Sequence, residues 1–170
     1  SQSYAQKLTK DDPIWADATR FLCQSDSDEH LKNNADSVMR DIGRAKLDEA
    51  ADDRISTASF LRAYGVSKGL GGYSRDPSVA RKASRRAARD GHPLSSVHYA
   101  SRSVSPGDRE ERFRWLGRAA SADCPFATVT YGVLLVTAPQ KPPRMRDWQE
   151  KQREGFAILE ELAAADYATA

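Results

Sequence analysis

Two stretches of this chain, 32 residues apart, carry one pattern. Ala87-Ala88-Arg89-Asp90-Gly91-His92-Pro93 aligns with Ala119-Ala120-Ser121-Ala122-Asp123-Cys124-Pro125, and the same offset carries Tyr99 onto Tyr131. Internal repetition constrains architecture more than local propensity does, because each copy is a unit that buries its apolar face only against its neighbours. A third copy, Ala163-Ala164-Ala165-Asp166, matches Ala120-Ser121-Ala122-Asp123 at an offset of 43. The additional residues fall between Gln140 and Arg153, where Pro142-Pro143 and several basic residues predict an elaborated loop.

Each unit reads as two helices. The first carries Phe60, Ser95 or Ala127, then a tyrosine four residues on (Tyr64, Tyr99, Tyr131), then a small residue (Gly65, Ala100, Gly132). That spacing puts the first residue and the tyrosine on one helix face, and the small residue lets a neighbouring helix approach. The second helix starts at an aspartate suited to capping, Asp76 or Asp108, with Pro77 at the first helical position. Ala80, Ala83, Ala87 and Ala88 then form an apolar stripe, and Arg112, Trp115, Ala119 and Ala120 occupy the same places one unit later. Trp115 therefore reads as core. Upstream, Asp12-Pro13 opens a helix through Phe21-Leu22, and Glu29 to Glu49 reads as one further helix with Leu31, Ala35, Val38, Ile42 and Ala45 on its apolar face. These are expected to cap the array.

The chain has 170 residues, enough for one domain with a real core, and no apolar run approaches the roughly 20 residues a membrane-spanning helix needs. Its formal charge of +2 hides a polarity. Residues 1–61 hold 8 Lys/Arg against 12 Asp/Glu, residues 62–118 hold 13 against 5, and residues 119–170 hold 5 against 7. A basic middle attracts phosphate or an acidic protein surface, unless its charges are only solvated helix faces. Cys23 and Cys124 match neither a zinc spacing nor a redox C-x-x-C, and are expected to be two ordinary thiols. A bridge between them is the alternative, and would add about 4 to 5 kcal/mol by closing so long a loop. The three histidines, His30, His92 and His98, have no ligand spacing, so neither a metal nor another cofactor is expected. Ser1 rather than Met begins the chain, which raises the expectation of a removed upstream segment.

The order small residue, tyrosine, glycine, then aspartate, then A-x-x-W-x-x-x-A-A resembles the Sel-like repeats, relatives of the tetratricopeptide repeats. Asp76, Ala80, Ala87, Ala88 and Gly91 match in one unit, and Asp108, Trp115, Ala119 and Ala120 in the next. Arg112 stands where the repeat has alanine, Asp123 replaces its closing glycine, and the second unit lacks the glycine loop. The resemblance covers about residues 58 to 170 and implies an all-α, right-handed α-solenoid of stacked antiparallel helix pairs. Residues 1–56 are then an N-terminal helical cap, and residues 57–170 an array of about three units with a loop inserted at 139–150 in the last.

Gly65-Val66-Ser67-Lys68-Gly69 spells the G-x-S-x-G of a hydrolase nucleophile elbow, but such an elbow needs a preceding buried strand, and a helix is expected there instead. Gly72, four residues before Asp76, fits the repeat's own loop. The run from Arg81 to Arg89 lacks the interleaved aromatics that stack on bases, so nucleic acid is not the expected partner. The resemblance implies a non-catalytic protein-binding module. Sel-like proteins of this size include bacterial immunity proteins that block a secreted toxin, notably type VI phospholipase effectors, often from the periplasm; a general adaptor or scaffold is the second reading. The expected partner-binding residues are Arg62, His98 and Arg102 on or beside the first helices, Tyr73 and Arg75 in the glycine loop, and Arg144, Arg146 and Trp148 in the insertion. For Trp148, anchoring its loop to the body is the competing role.

Overall fold

The computed structural model describes residues 7–102, 109–137 and 146–169, with side-chain surroundings for 7–100, 111–137 and 146–165. Among the described residues all regular structure is helical: α1 (Pro13–Cys23), α2 (Asp28–Ile42), α3 (Arg44–Asp52), α4 (Ser56–Lys68), α5 (Pro77–Arg89), α6 (Pro93–Arg102), α7 (Arg109–Ala120), α8 (Pro125–Thr137) and α9 (Trp148–Thr169). The starts follow local chemistry. Asp12 accepts the Ile14 N–H at 3.1 Å with Pro13 at the first position, and Asp76 accepts the N–H groups of Ser78 and Val79, both at 3.1 Å, ahead of Pro77. Asp108 lies outside the described residues.

The single helix expected from Glu29 to Glu49 is two. Gly43 has φ 85° and returns its N–H to the Met39 carbonyl, which ends α2 and turns the chain into α3. Leu31, Ala35 and Ile42 keep the buried stripe of α2, whereas Ala45 is exposed on α3, which buries Leu47, Ala50 and Ala51 instead. Ala50-Ala51 therefore does in α3 what Ala87-Ala88 does in α5. The turns that follow have one geometry: Arg54, Gly91 and Asp123 all have positive φ, at 61°, 90° and 55°. Each precedes a buried residue, Ile55, His92 or Cys124, at the start of the next helix. Asp123, a departure from the repeat in sequence, thus keeps the left-handed conformation of the closing glycine.

Each helix from α3 onward packs on the next, and α4 also touches α6, as α6 does α8. Phe60 stacks on His92 at 5.0 Å and Tyr64 meets His98 edge-on at 5.4 Å, so α4 and α6 advance together and run parallel. Trp115 is buried against Tyr99, ring centroids 4.9 Å apart, with Ala88 beside them. The small residues permit close contact: a Cβ on Gly155 would come within 2.8 Å of Leu135 Cβ and 3.1 Å of the Gly132 carbonyl oxygen.

Helix α1 crosses the starts of α4, α6 and α8. The Thr57 hydroxyl donates to the Trp15 carbonyl at 3.5 Å, Thr19 Oγ1 lies 2.8 Å from Thr57 Oγ1 and 3.4 Å from His92 Nε2, and Cys23 is disulfide-bonded to Cys124. Residues 15, 19 and 23 are four apart and share one face. The expectation of two ordinary thiols is therefore corrected: α1 brings the cysteines to a Cα separation of 4.9 Å across 101 residues of sequence. Such a loop closure contributes about 4 to 5 kcal/mol in the chain-entropy account.

Candidate functional site

The glycine loop after α4 is shaped by what it encloses. Ser67 sits in the last turn of α4, fully buried, with helix rather than strand before it, so the G-x-S-x-G string does not form an elbow. A Cβ on Gly65 would lie 2.7 Å from the Tyr73 ring, and one on Gly71, whose φ is 63°, would lie 2.8 Å from Met39 Sδ. Glycine at 65 and 71 therefore lets the loop close over Met39 from α2.

That closure places Tyr73 in a polar brace. Its hydroxyl donates to Asp48 Oδ1 at 2.6 Å, and the Arg44 guanidinium lies 4.8 Å from the ring centroid while donating to the Gly72 carbonyl at 2.7 Å. Arg62 donates to Asp52 at 2.8 Å and lies 4.0 Å from Asp48. Burial, then the Asp48 carboxylate, pushes the Tyr73 phenol well above its ordinary pKa. Two arginines and two aspartates neutralise one another here; Tyr73 and Arg44 hold the loop against α3, and Arg62, brought beside Tyr73 at Asp48, ties α4 to α3.

Arg75, next to the cap of α5, is exposed. On α5 the exposed residues Arg81, Lys82, Arg85, Arg86 and Arg89 follow at helical spacing opposite the buried Ala80, Ser84, Ala87 and Ala88. Among the described residues, Arg85 alone of these five has an ion pair, with Glu111 at 3.6 Å. Five of the thirteen Lys/Arg of the basic middle of the sequence thus share one exposed face of α5, and Arg75 lies just before that helix.

The remaining expected residues lie elsewhere. His98 is buried against Tyr64, with 8% of its surface exposed, and lines a cleft of about 390 Å³ among α2, α4, α6, α7 and α8. Trp148 opens α9 instead of standing in a loop, and is buried with its ring edge-on to Phe113 at 5.4 Å. Anchoring is its observed role. Arg146 is exposed in the turn before α9; the side chain of Arg102 and all of Arg144 lie outside the described residues.

Sequence reasoning passed over the group beneath α1. His92 Nδ1 accepts the Ser95 N–H at 3.4 Å, which leaves the proton of the neutral ring on Nε2, facing Thr19. Burial lowers the His92 pKa to about 3. The sequence signal was its position: His92 occupies the place that Cys124 holds one unit later. Among the described residues no helix is long and apolar enough to cross a membrane, and no group of His, Cys, Asp or Glu is placed to hold a metal ion. No family model, curated protein or solved structure matches the chain.

Proposed function

We propose that the chain is a non-catalytic protein-binding module whose docking surface is the cationic face of α5 together with Arg75. The observation that carries this reading is the row Arg81, Lys82, Arg85, Arg86 and Arg89, exposed on a helix whose other side is fixed in the core. Charges held on a rigid helix steer an acidic partner and set its register. The pairs α4–α5, α6–α7 and α8–α9 are proposed to stack as a right-handed solenoid, with α2–α3 as a preceding pair. The contacts of α4 with α6 and of α6 with α8, and the common turn geometry at Arg54, Gly91 and Asp123, support that arrangement.

Following the resemblance to Sel-like immunity proteins, the partner is proposed to be a secreted bacterial toxin such as a phospholipase effector, blocked sterically by the bound module. A disulfide persists in oxidising compartments, so the Cys23–Cys124 bridge favours the periplasm as the place of action. The test is capture from a lysate of the native source with the wild type and with the Arg81→Glu/Arg86→Glu variant as baits. One stoichiometric hydrolase, held by the wild type, lost by the variant and inhibited on addition of the wild type, is the expected result. Several unrelated proteins would favour an adaptor, and equal capture by both baits would remove α5 from the interface.

A further inference from the structure

Besides its own chain connection, helix α1 has one covalent tie to the rest of the fold: Cys23, its last residue, is bonded to Cys124 just before α8. Of its eleven residues four are buried, Trp15, Ala18, Leu22 and Cys23 itself, whereas α4 buries eight of thirteen. Among the described residues the one ion pair of α1, Arg20 with Asp17, lies within the helix and adds nothing to its docking. The bonds that reach other elements run through Thr19 Oγ1, 2.8 Å from Thr57 Oγ1 and 3.4 Å from His92 Nε2, and through the Trp15 carbonyl, which accepts from the Thr57 hydroxyl at 3.5 Å; the last two are at the weak end of the range. Ahead of the helix, Lys7 pairs with Asp53 and Glu49 at exposed positions, where such pairs contribute little. Three apolar side chains and these bonds stand against the entropy of ordering the whole helix. The bridge adds the tie that they lack.

Both cysteines are buried, yet they are not equivalent. A cleft of about 630 Å³ runs between α1 and the turns at Arg54, Gly91 and Asp123, with Trp15, Thr19 and Cys23 in its wall, and Cys124 is not part of that wall. Lys10, Arg20 and Arg54 line it against Asp90 and Asp123, so its charges come close to balance and do not repel an anion. A thiolate has to reach the sulfur that it attacks, and this cleft offers it Cys23. We propose that the bridge is a redox-operated clasp on α1, opened by a small thiol that enters the cleft and attacks Cys23. The thiolate forms a bond to Cys23 Sγ as the Cys23–Cys124 bond breaks, and Cys124 leaves as a thiolate and takes up a proton. A second thiol of the reductant then displaces the first from Cys23, so two reductant thiols are oxidised to a disulfide while the two cysteines are reduced. With the clasp open, α1 stands off the starts of α4, α6 and α8 while the helices from α5 onward stay folded. Compartments that keep thiols reduced hold the clasp open, and oxidising ones close it.

The test starts from the whole oxidised chain under native conditions. Brief treatment with glutathione, followed by alkylation and peptide mapping, should place glutathione on Cys23 and the alkyl label on Cys124. After full reduction with dithiothreitol, amide exchange should rise at least about tenfold from Pro13 to Cys23, with α5 to α9 within about twofold of the oxidised chain. Cys23→Ser/Cys124→Ser should show the reduced pattern without any reductant. Glutathione on Cys124, no reduction unless denaturant is added, α1 still protected after reduction, or exchange rising throughout the chain would each overturn the proposal. These measurements need no protein partner, so the docking reading for α5 stands or falls separately.

Discussion

At the scale of single residues, burial decides more than chemical type does. His92 is a base held neutral: the unfolded chain takes up a proton near pH 6.5, whereas the folded ring does so only near 3. Between those values the unfolded state binds the additional proton, so the contribution of this site to stability is complete above about pH 6.5 and is lost as pH falls toward 3. Denaturant melts should show stability falling in that window with a slope approaching about 1.4 kcal/mol per pH unit, and His92→Gln should flatten the slope. Equal slopes in both proteins would mean that the ring is not held neutral. Trp115→Ala should cost about 3 to 5 kcal/mol in the same melts, since the ring fills the space between Tyr99 and Ala88. Trp115 was legible in the sequence because its place in the repeat is a core place. His98 and Trp148 were not, because a histidine on a helix and a tryptophan beside arginines carry no sign of which way their rings turn.

At the scale of elements, repeats are easier to read than the segments that bind them together. The caps at Asp12 and Asp76 and the alanine stripe of α5 follow from local chemistry and periodicity, and the structure has them. The division of Glu29–Glu49 at Gly43 was hidden because Ala45 continues the spacing of the α2 stripe in sequence although it is exposed in α3, and one glycine inside a periodic pattern does not by itself end a helix. The path of α1 was hidden for a different reason. Its contacts with Thr57, His92 and Cys124 join parts of the sequence that share no motif, so no spacing rule anticipates them. Cys23→Ser/Cys124→Ser should lower stability by about 4 to 5 kcal/mol, measured by chemical denaturation under non-reducing conditions. A loss below about 1 kcal/mol would mean that α1 is held by its other contacts alone. Gly155→Ala tests the crossing of α8 and α9: its new Cβ would stand 2.8 Å from Leu135 Cβ. A cost of about 1 to 3 kcal/mol is expected, the range of an overpacked core position.

At the scale of the whole molecule, charge and apolar surface are separated. The acidic N-terminal third builds α1 to α3, which cover the starts of the neighbouring helices and one side of the cleft. The basic middle third displays five of its cations on α5. The sequence expectation placed the partner on the first helices of each pair together with the glycine loop and the insertion, but Arg62 is paired with Asp52, Tyr73 with Asp48, and His98 and Trp148 are buried. Of the expected set, Arg75 and Arg146 remain exposed among the described residues. The account therefore rests on α5 as the docking face. The most direct measurement is amide hydrogen exchange on the free chain and on its complex with the captured partner. The account predicts new protection concentrated from Arg75 through Arg89, with the cleft residues of α6 and α8 unchanged. Protection at α6 and α8 with α5 exchanging as in the free chain would contradict it.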